Sequence, residues 1–319
     1  MRTLAALLMV GLIILPIQAS AASESVWDDA REGVQGGTIG GLSLSLSESS
    51  TEYSASMEVM ELSHVIEVYT ATWCTNCVTT EHALDEAIGD TDVVRIHYHR
   101  HKFEAEDPFG SNGTEERWES SYGAASTTIG GAPRLAPTTV FDGERLHLGT
   151  SSKSDSLLND YIASLGIGST HEFGGTMELW VATSGATTEF SWDLSGMDHS
   201  SCGETEWRSV VDCPTVGLTA WLLFVEDSAN FPEGSNEVGD YLHVLHDTVQ
   251  LDGLSGSTAI DVPTAWDGND LSAILLVDWE VEADILVVDD GYVIPAPGVA
   301  TLLCMLAALV PRRRSPIPL

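Results

Sequence analysis

Trp73-Cys74-Thr75-Asn76-Cys77 lies where an apolar, strand-like run, His64-Val65-Ile66-Glu67-Val68-Tyr69, gives way to a helix-like one. Two cysteines three apart at a helix start can close a small disulfide. The first sulfur then sits beside helix backbone N–H groups that favour its thiolate. The pattern therefore implies a strand–turn–helix unit and points to thiol–disulfide exchange without giving its direction. The competing interpretation is an inert disulfide that staples the helix start.

The two ends of the chain read as sorting segments. Arg2 precedes an apolar stretch from Leu4 to Ile17 and the small residues Ala19-Ser20-Ala21, the pattern of a secretory signal peptide over 1–21. Export places the remainder where disulfides persist. At the other end, over 293–314, Pro295-Ala296-Pro297 is followed by apolar Gly298 to Val310 and by Arg312-Arg313-Arg314. This arrangement resembles the PEP-CTERM type of surface-sorting tail, although Ala296 departs from that family's Pro-Glu-Pro core. A permanent membrane anchor is the alternative, and either implies retention at a membrane or cell surface. Cys304 falls inside this segment.

The net charge of −35, from 48 acidic and 13 basic residues, argues against nucleic acid as a partner, because phosphates need a basic face. It gives a solvated, self-repelling surface.

Three regions lie between the ends. Residues 22–60 contain Gly36-Gly37, Gly40-Gly41 and the serines 43, 45, 47, 49 and 50, and read as a Ser/Gly-rich linker; Leu42, Leu44 and Leu46 alternate with serines, which leaves a short edge strand open. Residues 61–167 alternate strand and helix. A helix over 81–88, a strand over 93–99, a helix around 115–122, strands at 137–141 and 145–148, and a helix near 154–165 are expected. Residues 170–292 change to a period of two, with six or so strand candidates between Gly, Ser, Asn and Asp, as in an antiparallel β-sandwich.

The CxxC after a strand, together with Ala136-Pro137-Thr138 opening a later one, resembles the thioredoxin superfamily. Within it, Thr70-Ala71-Thr72-Trp73-Cys74, the strand containing His97, Asp107-Pro108-Phe109-Gly110 and Pro137-Thr138-Thr139-Val140-Phe141-Asp142-Gly143 look like a group of secreted, outer-membrane-associated thioredoxin-like proteins that often carry a C-terminal β domain. Phe224-Val225-Glu226-Asp227 and Tyr241-Leu242-His243-Val244 extend the likeness weakly. The resemblance implies an α/β thioredoxin-like domain followed by an all-β domain. It also implies that Cys74 is an exposed nucleophile, Cys77 a buried resolving thiol and Pro137 a cis proline that presents substrate, with Trp73 packing beside the pair and His97 in support. Thr75-Asn76 replaces the family's Gly-Pro. Val68 stands where the family keeps a buried Asp that relays a proton, so proton transfer at Cys77 needs another group or water.

His97, His99 and His101 alternate and share one face of their strand. With two thiols they supply ligand types suited to zinc or copper, but one histidine face and one Cys pair lack a second ligand pair, so no metal is expected. No cofactor is expected either: phosphate-binding, serine-triad and nucleotide motifs are missing. Cys202 and Cys213 read as a loop-closing structural disulfide.

The expected function is an exported thiol–disulfide oxidoreductase acting on protein thiols and disulfides, with a redox partner protein. The rival is a surface binding or adhesion protein whose thioredoxin-like scaffold holds a structural disulfide.

Overall fold

The computed structural model describes residues 25–47, 52–103, 107–170, 173–184, 187–199 and 216–281. Strands run β1 Asp28–Asp29, β2 Gly36–Ser45, β3 Glu52–Glu58, β4 His64–Thr70, β5 Val93–His99, β6 Thr138–Phe141, β7 Arg145–Leu148, β8 Phe173–Gly174, β9 Thr176–Ser184, β10 Thr187–Asp193, β11 Asp198–His199, β12 Val216–Asn230, β13 Asp240–Gln250, β14 Ser255–Ile260 and β15 Leu271–Val281. The α-helices are α1 Thr75–Ile88, α2 Asn112–Gly130 and α3 Leu157–Ile167.

A mixed, nine-stranded sheet in the order β1-β7-β6-β4-β5-β13-β12-β15-β2 forms the body of the molecule. The β4–β5 and β5–β13 pairs are parallel and the others antiparallel. Strand β4 is buried along nearly its whole length because helices cover both of its faces, which is why it reads as an almost unbroken apolar run. On one face, Ile66 and Val68 meet Leu84 of α1 and Tyr161 of α3. On the other, Trp118, Tyr122 and Ala125 of α2 pack on Tyr69, Tyr98, Leu223 and Leu276. Trp118 is completely buried, and its truncation to Ala would cost about 3–5 kcal/mol.

Each helix has a local start signal. Cys74 caps α1, Ser111 caps α2 in a reciprocal box with Thr114, and Ser156 caps α3 through the Asn159 N–H.

A second, four-stranded sheet, β14-β10-β9-β3, packs against the far half of the large one. Leu179, Val181, Phe190 and Trp192 interleave there with Leu222, Phe224, Leu275, Val277 and Trp279. This is a sandwich, but one of its layers is shared with the helix-covered half of the sheet. The expected break between an α/β domain ending at 167 and a β domain beginning at 170 is therefore not a break in the structure: β5 and β13 meet in parallel at His97 and Val244. Arg117 joins the halves a second time, ion-paired with Glu67 of β4 and Asp278 of β15. The described residues up to 281 belong to one compact unit.

The linker expectation for 22–60 is corrected. Strand β2 pairs with β15 from Gly36–Glu280 to Ser45–Ser272, and β3 pairs with β9. The glycines that suggested flexibility serve a bulge: Gly40 and Gly41 have φ of +116° and +91°, where the register against β15 shifts between Leu275 and Leu276. A Cβ on Gly41 would collide with the Val94 side chain. Leu42 and Leu44 are buried while Ser43 and Ser45 are not, so alternation decided the outcome. The segments 1–21 and 293–314, with Cys202, Cys213 and Cys304, lie outside the described residues.

Candidate functional site

Cys74 and Cys77 form a disulfide with their Cα atoms 5.3 Å apart. The turn that carries them is closed by Cys74 N–H donating to Ala71 O and Cys77 N–H to Cys74 O. Cys77 N–H also lies 3.2 Å from Cys74 Sγ, so the first sulfur occupies the capping position of α1 and receives a helix-terminal amide. Such an amide, with the positive end of the helix dipole, favours a thiolate at Cys74 when the bond opens. Cys77 is wholly buried and Cys74 is 5% exposed.

The sulfurs pack in a small cluster with Ala71, Trp73 and Ala136. The Ala136–Pro137 peptide is cis, Ala136 packs against the cysteine pair, and Pro137 O accepts from Gly149 N–H. Trp73 lies on one side of the pair, with the Arg100 guanidinium 5.7 Å from its ring centre.

Two further segments hold the loop before Cys74. The Asp107 carboxylate accepts from Thr72 N–H at 2.8 Å and from Phe109 N–H at 3.1 Å, and it pairs with His99 Nδ1 at 2.9 Å. From the sandwich half, the loop between β12 and β13 reaches the same place. Asn236 N–H donates to Thr72 O at 3.1 Å and Asn236 Nδ2 to Ala71 O at 3.3 Å. The Tyr241 hydroxyl donates to Asn236 Oδ1 at 2.6 Å, with Thr72 O a longer acceptor at 3.2 Å. The approach is close enough that a Cβ on Gly234 would run into the Tyr241 hydroxyl. Burial, with Asp107 and Glu81 nearby, pushes the Tyr241 phenol up to about 12.

His97 sits deeper, opposite Val68 in the β4–β5 register. Its contacts are Arg95 Nη2 at 3.3 Å and the His243 ring, whose centre is 5.7 Å away. Burial, then Arg95, His243 and His99, hold it well below the usual histidine range. His99, opposite Thr70, is the histidine of β5 that reaches the loop before the CxxC, through Asp107. Among the described residues, no group of three or more His, Cys, Asp or Glu is arranged to hold a metal ion.

The surroundings of the CxxC thus include Asp107, Asn236 and Tyr241, none of which was singled out for a role from the sequence, and His99, which was weighed there only as a metal ligand. Asp107-Pro108-Phe109-Gly110 and Tyr241-Leu242-His243-Val244 did carry the family resemblance, and the fold brings both segments to one place: the Phe109 and Tyr241 rings are 5.5 Å apart.

No protein-family model matches the chain, and a search of the curated proteins finds no match. Among solved structures, it is similar to a protein of Agrobacterium tumefaciens from the Northeast Structural Genomics Consortium. That likeness has 14% identity and a TM-score of 0.35, over 66% of this chain and 93% of that one. It is also similar to HBP35 of Porphyromonas gingivalis, at 20% identity and a TM-score of 0.31, over 68% of this chain and 63% of that one. Both likenesses are too distant in shape to define a family. Fold and site together define a β-rich protein with a mixed nine-stranded sheet, a second sheet and a CxxC disulfide at a helix start. Among the described residues, no helix is long and apolar enough to cross a membrane.

Proposed function

We propose that the chain is an exported thiol–disulfide oxidoreductase with a thioredoxin-like site, acting on protein disulfides through Cys74 and Cys77. The observation that carries this reading is the placement of Cys74 Sγ at the cap of α1, accepting the Cys77 N–H, beside the cis Ala136–Pro137 segment. The helix start lowers the cost of a thiolate leaving group at Cys74, and the buried Cys77 lies one turn on to resolve a mixed disulfide. Pro137 presents the substrate strand and Trp73 shields the pair. The partners are protein thiols and a redox protein that resets the pair. The signal peptide at 1–21 directs export, and the segment 293–314 retains the protein at a membrane or surface.

A second reading, a surface binding protein with a structural disulfide, draws on one observation: Cys74 is 5% exposed.

The reduction potential of the Cys74–Cys77 pair, equilibrated against glutathione buffers, separates the two. A value between about −270 and −120 mV supports exchange, and its position gives the direction. A value below about −300 mV marks a structural bond and moves the assignment to the binding protein.

A further inference from the structure

Closing the disulfide requires Cys77 to lose a proton, and opening it requires Cys77 to regain one. Cys77 is completely buried, so bulk water does not reach its sulfur. Position 68, six residues before Cys74, faces the same helix but carries a valine packed in the core. A proton acceptor must come from elsewhere.

Residue 81 stands four positions after Cys77 on α1, so the two share a helix face one turn apart. That face is the one turned to the sheet: Cys77, Thr80, Leu84 and Ile88 are its buried members. Partly buried Glu81 reaches the end of β4, where Thr70 Oγ1 donates to its Oε1 at 2.8 Å. Thr70 lies opposite His99 in the sheet, and Ala71 and Thr72, which follow it, lead directly to the CxxC.

The groups facing Glu81 come from every element around it. Burial raises its pKa. The Thr70 hydroxyl of β4 and His99 and Arg95 of β5 pull it down, while Asp85 of α1 pushes it up, and the net direction is upward. Tyr161 of α3 and Tyr241 of β13 feel its charge, but both phenols are held at about 12 and stay protonated near neutrality. His99 has its Nδ1 committed to Asp107. His97 is directed to Arg95 and His243.

We propose that Glu81 takes the proton from the Cys77 thiol when the disulfide closes and returns it when the disulfide opens. This rests on the exchange reading above. In the closing direction the Cys74 thiolate attacks a disulfide R–S–S–R, forming Cys74–S–S–R and releasing R–S⁻. Cys77–SH then passes its proton to the Glu81 carboxylate while its sulfur attacks Cys74 Sγ, and the second R–S⁻ leaves. The cysteine pair loses two electrons and R–S–S–R gains them. Only ionised Glu81 accepts the proton, so the closing step speeds up as pH rises through the Glu81 pKa.

The test follows the reduced full-length protein reacting with oxidised glutathione. Acid-quenched samples are digested, and mass spectrometry resolves the Cys74–glutathione adduct from the Cys74–Cys77 disulfide. Formation of the adduct reads the attack of Cys74, and its decay reads the closing step. In the wild type, decay is expected to bend at a pH above the ordinary glutamate value of about 4.3. Glu81→Gln is expected to slow decay by about a hundredfold near neutrality and to abolish the bend, with adduct formation little changed. Glu81→Asp, which keeps a carboxyl, is expected to recover part of the rate. Thr70→Val, which removes the hydroxyl that stabilises the carboxylate, is expected to move the bend to higher pH and serves as the test should Glu81→Gln not fold. Adduct that forms and closes in Glu81→Gln at the wild-type rate and pH profile overturns the relay and leaves exchange standing, as does a bend unmoved by Thr70→Val. Absence of both the Cys74 adduct and the Cys74–Cys77 disulfide after reaction overturns exchange and the relay together.

Discussion

Asn236 Nδ2 donates to the carbonyl of Ala71 at 3.3 Å across 165 positions of sequence, tying the β12–β13 loop to the backbone that leads into Cys74. The same asparagine donates from its N–H to Thr72 O and accepts from the Tyr241 hydroxyl. The sandwich half of the molecule thereby contributes directly to the surroundings of the CxxC.

Asn236→Ala removes the side-chain bonds to Ala71, Tyr241 and Val238 while keeping the backbone bond to Thr72. The expected cost is about 1–3 kcal/mol, read from the urea midpoint. The Cys74–Cys77 bond is expected to be reduced several-fold faster by dithiothreitol, because the loop no longer holds down the turn before Cys74. An unchanged reduction rate in a destabilised variant would show that the loop supports the fold without restricting the disulfide.

Arg117 is buried between Glu67 and Asp278, with the Trp221 ring centre 5.0 Å from its guanidinium carbon. Arg117→Met leaves both carboxylates short of a counter-charge in a buried setting, although Glu67 keeps Tyr98 and Tyr122 and Asp278 keeps Arg31 and Thr38. Equilibrium urea unfolding is expected to show a loss of about 3–5 kcal/mol. A loss below about 1 kcal/mol would mean that the remaining partners suffice.

Acid is expected to destabilise the fold through buried His147 and half-buried His243. Burial, ahead of neighbouring charges, lowers His147 and His243 to about 4. An unfolded histidine titrates near 6.5, so between these values the unfolded chain binds more protons than the folded one. Their contribution is fully present above about pH 6.5 and is lost as pH falls toward 4, on the order of 1–3 kcal/mol for each group. His147→Gln is expected to flatten part of the fall in urea midpoint over that window. A wild-type midpoint that does not drop there contradicts histidines held neutral by the fold.

The net charge of −35 predicts stabilisation by salt. Screening of self-repulsion is expected to raise the melting temperature as sodium chloride increases from low concentration to about 1 M, where charges a few ångströms apart are already shielded. A melting temperature that falls with salt would mean that the ion pairs of the fold outweigh the repulsion.

The strand–helix alternation from β4 to α3 was legible because each element has its own signal: the apolar run of β4, the caps Cys74, Ser111 and Ser156, and the stop at Gly89. Helix α2 extends well beyond the expected 115–122, since its small residues Gly123, Ala125 and Ser126 carry little apolar periodicity yet are buried. Strand β2 was obscured by glycines whose purpose shows only when Val94 and β15 lie beside them. The sharing of one sheet by both halves depends on the single parallel register of His97 with Val244, and no local pattern encodes it. At the site, the cysteines and Pro137 were legible as a motif. Glu81, Asp107 and Asn236 were not, because each is held by a hydrogen-bond partner 11 or more positions away in sequence, which no local pattern reveals.

The pairing of β2 with β15 sets the order in which the molecule can be completed. Strand β2 is synthesised early and its partner almost last, so β2 must wait unpaired through the synthesis of every helix and most of the sheet. A chain released before Leu271 would leave β2 without its β15 neighbour in the large sheet and β12 with a bare edge. Non-local closure of this kind slows folding and prolongs exposure of strand edges. The disulfide at Cys74 and Cys77, by contrast, spans one helical turn and needs none of the late strands to form, so oxidation of the pair can precede completion of the fold around it.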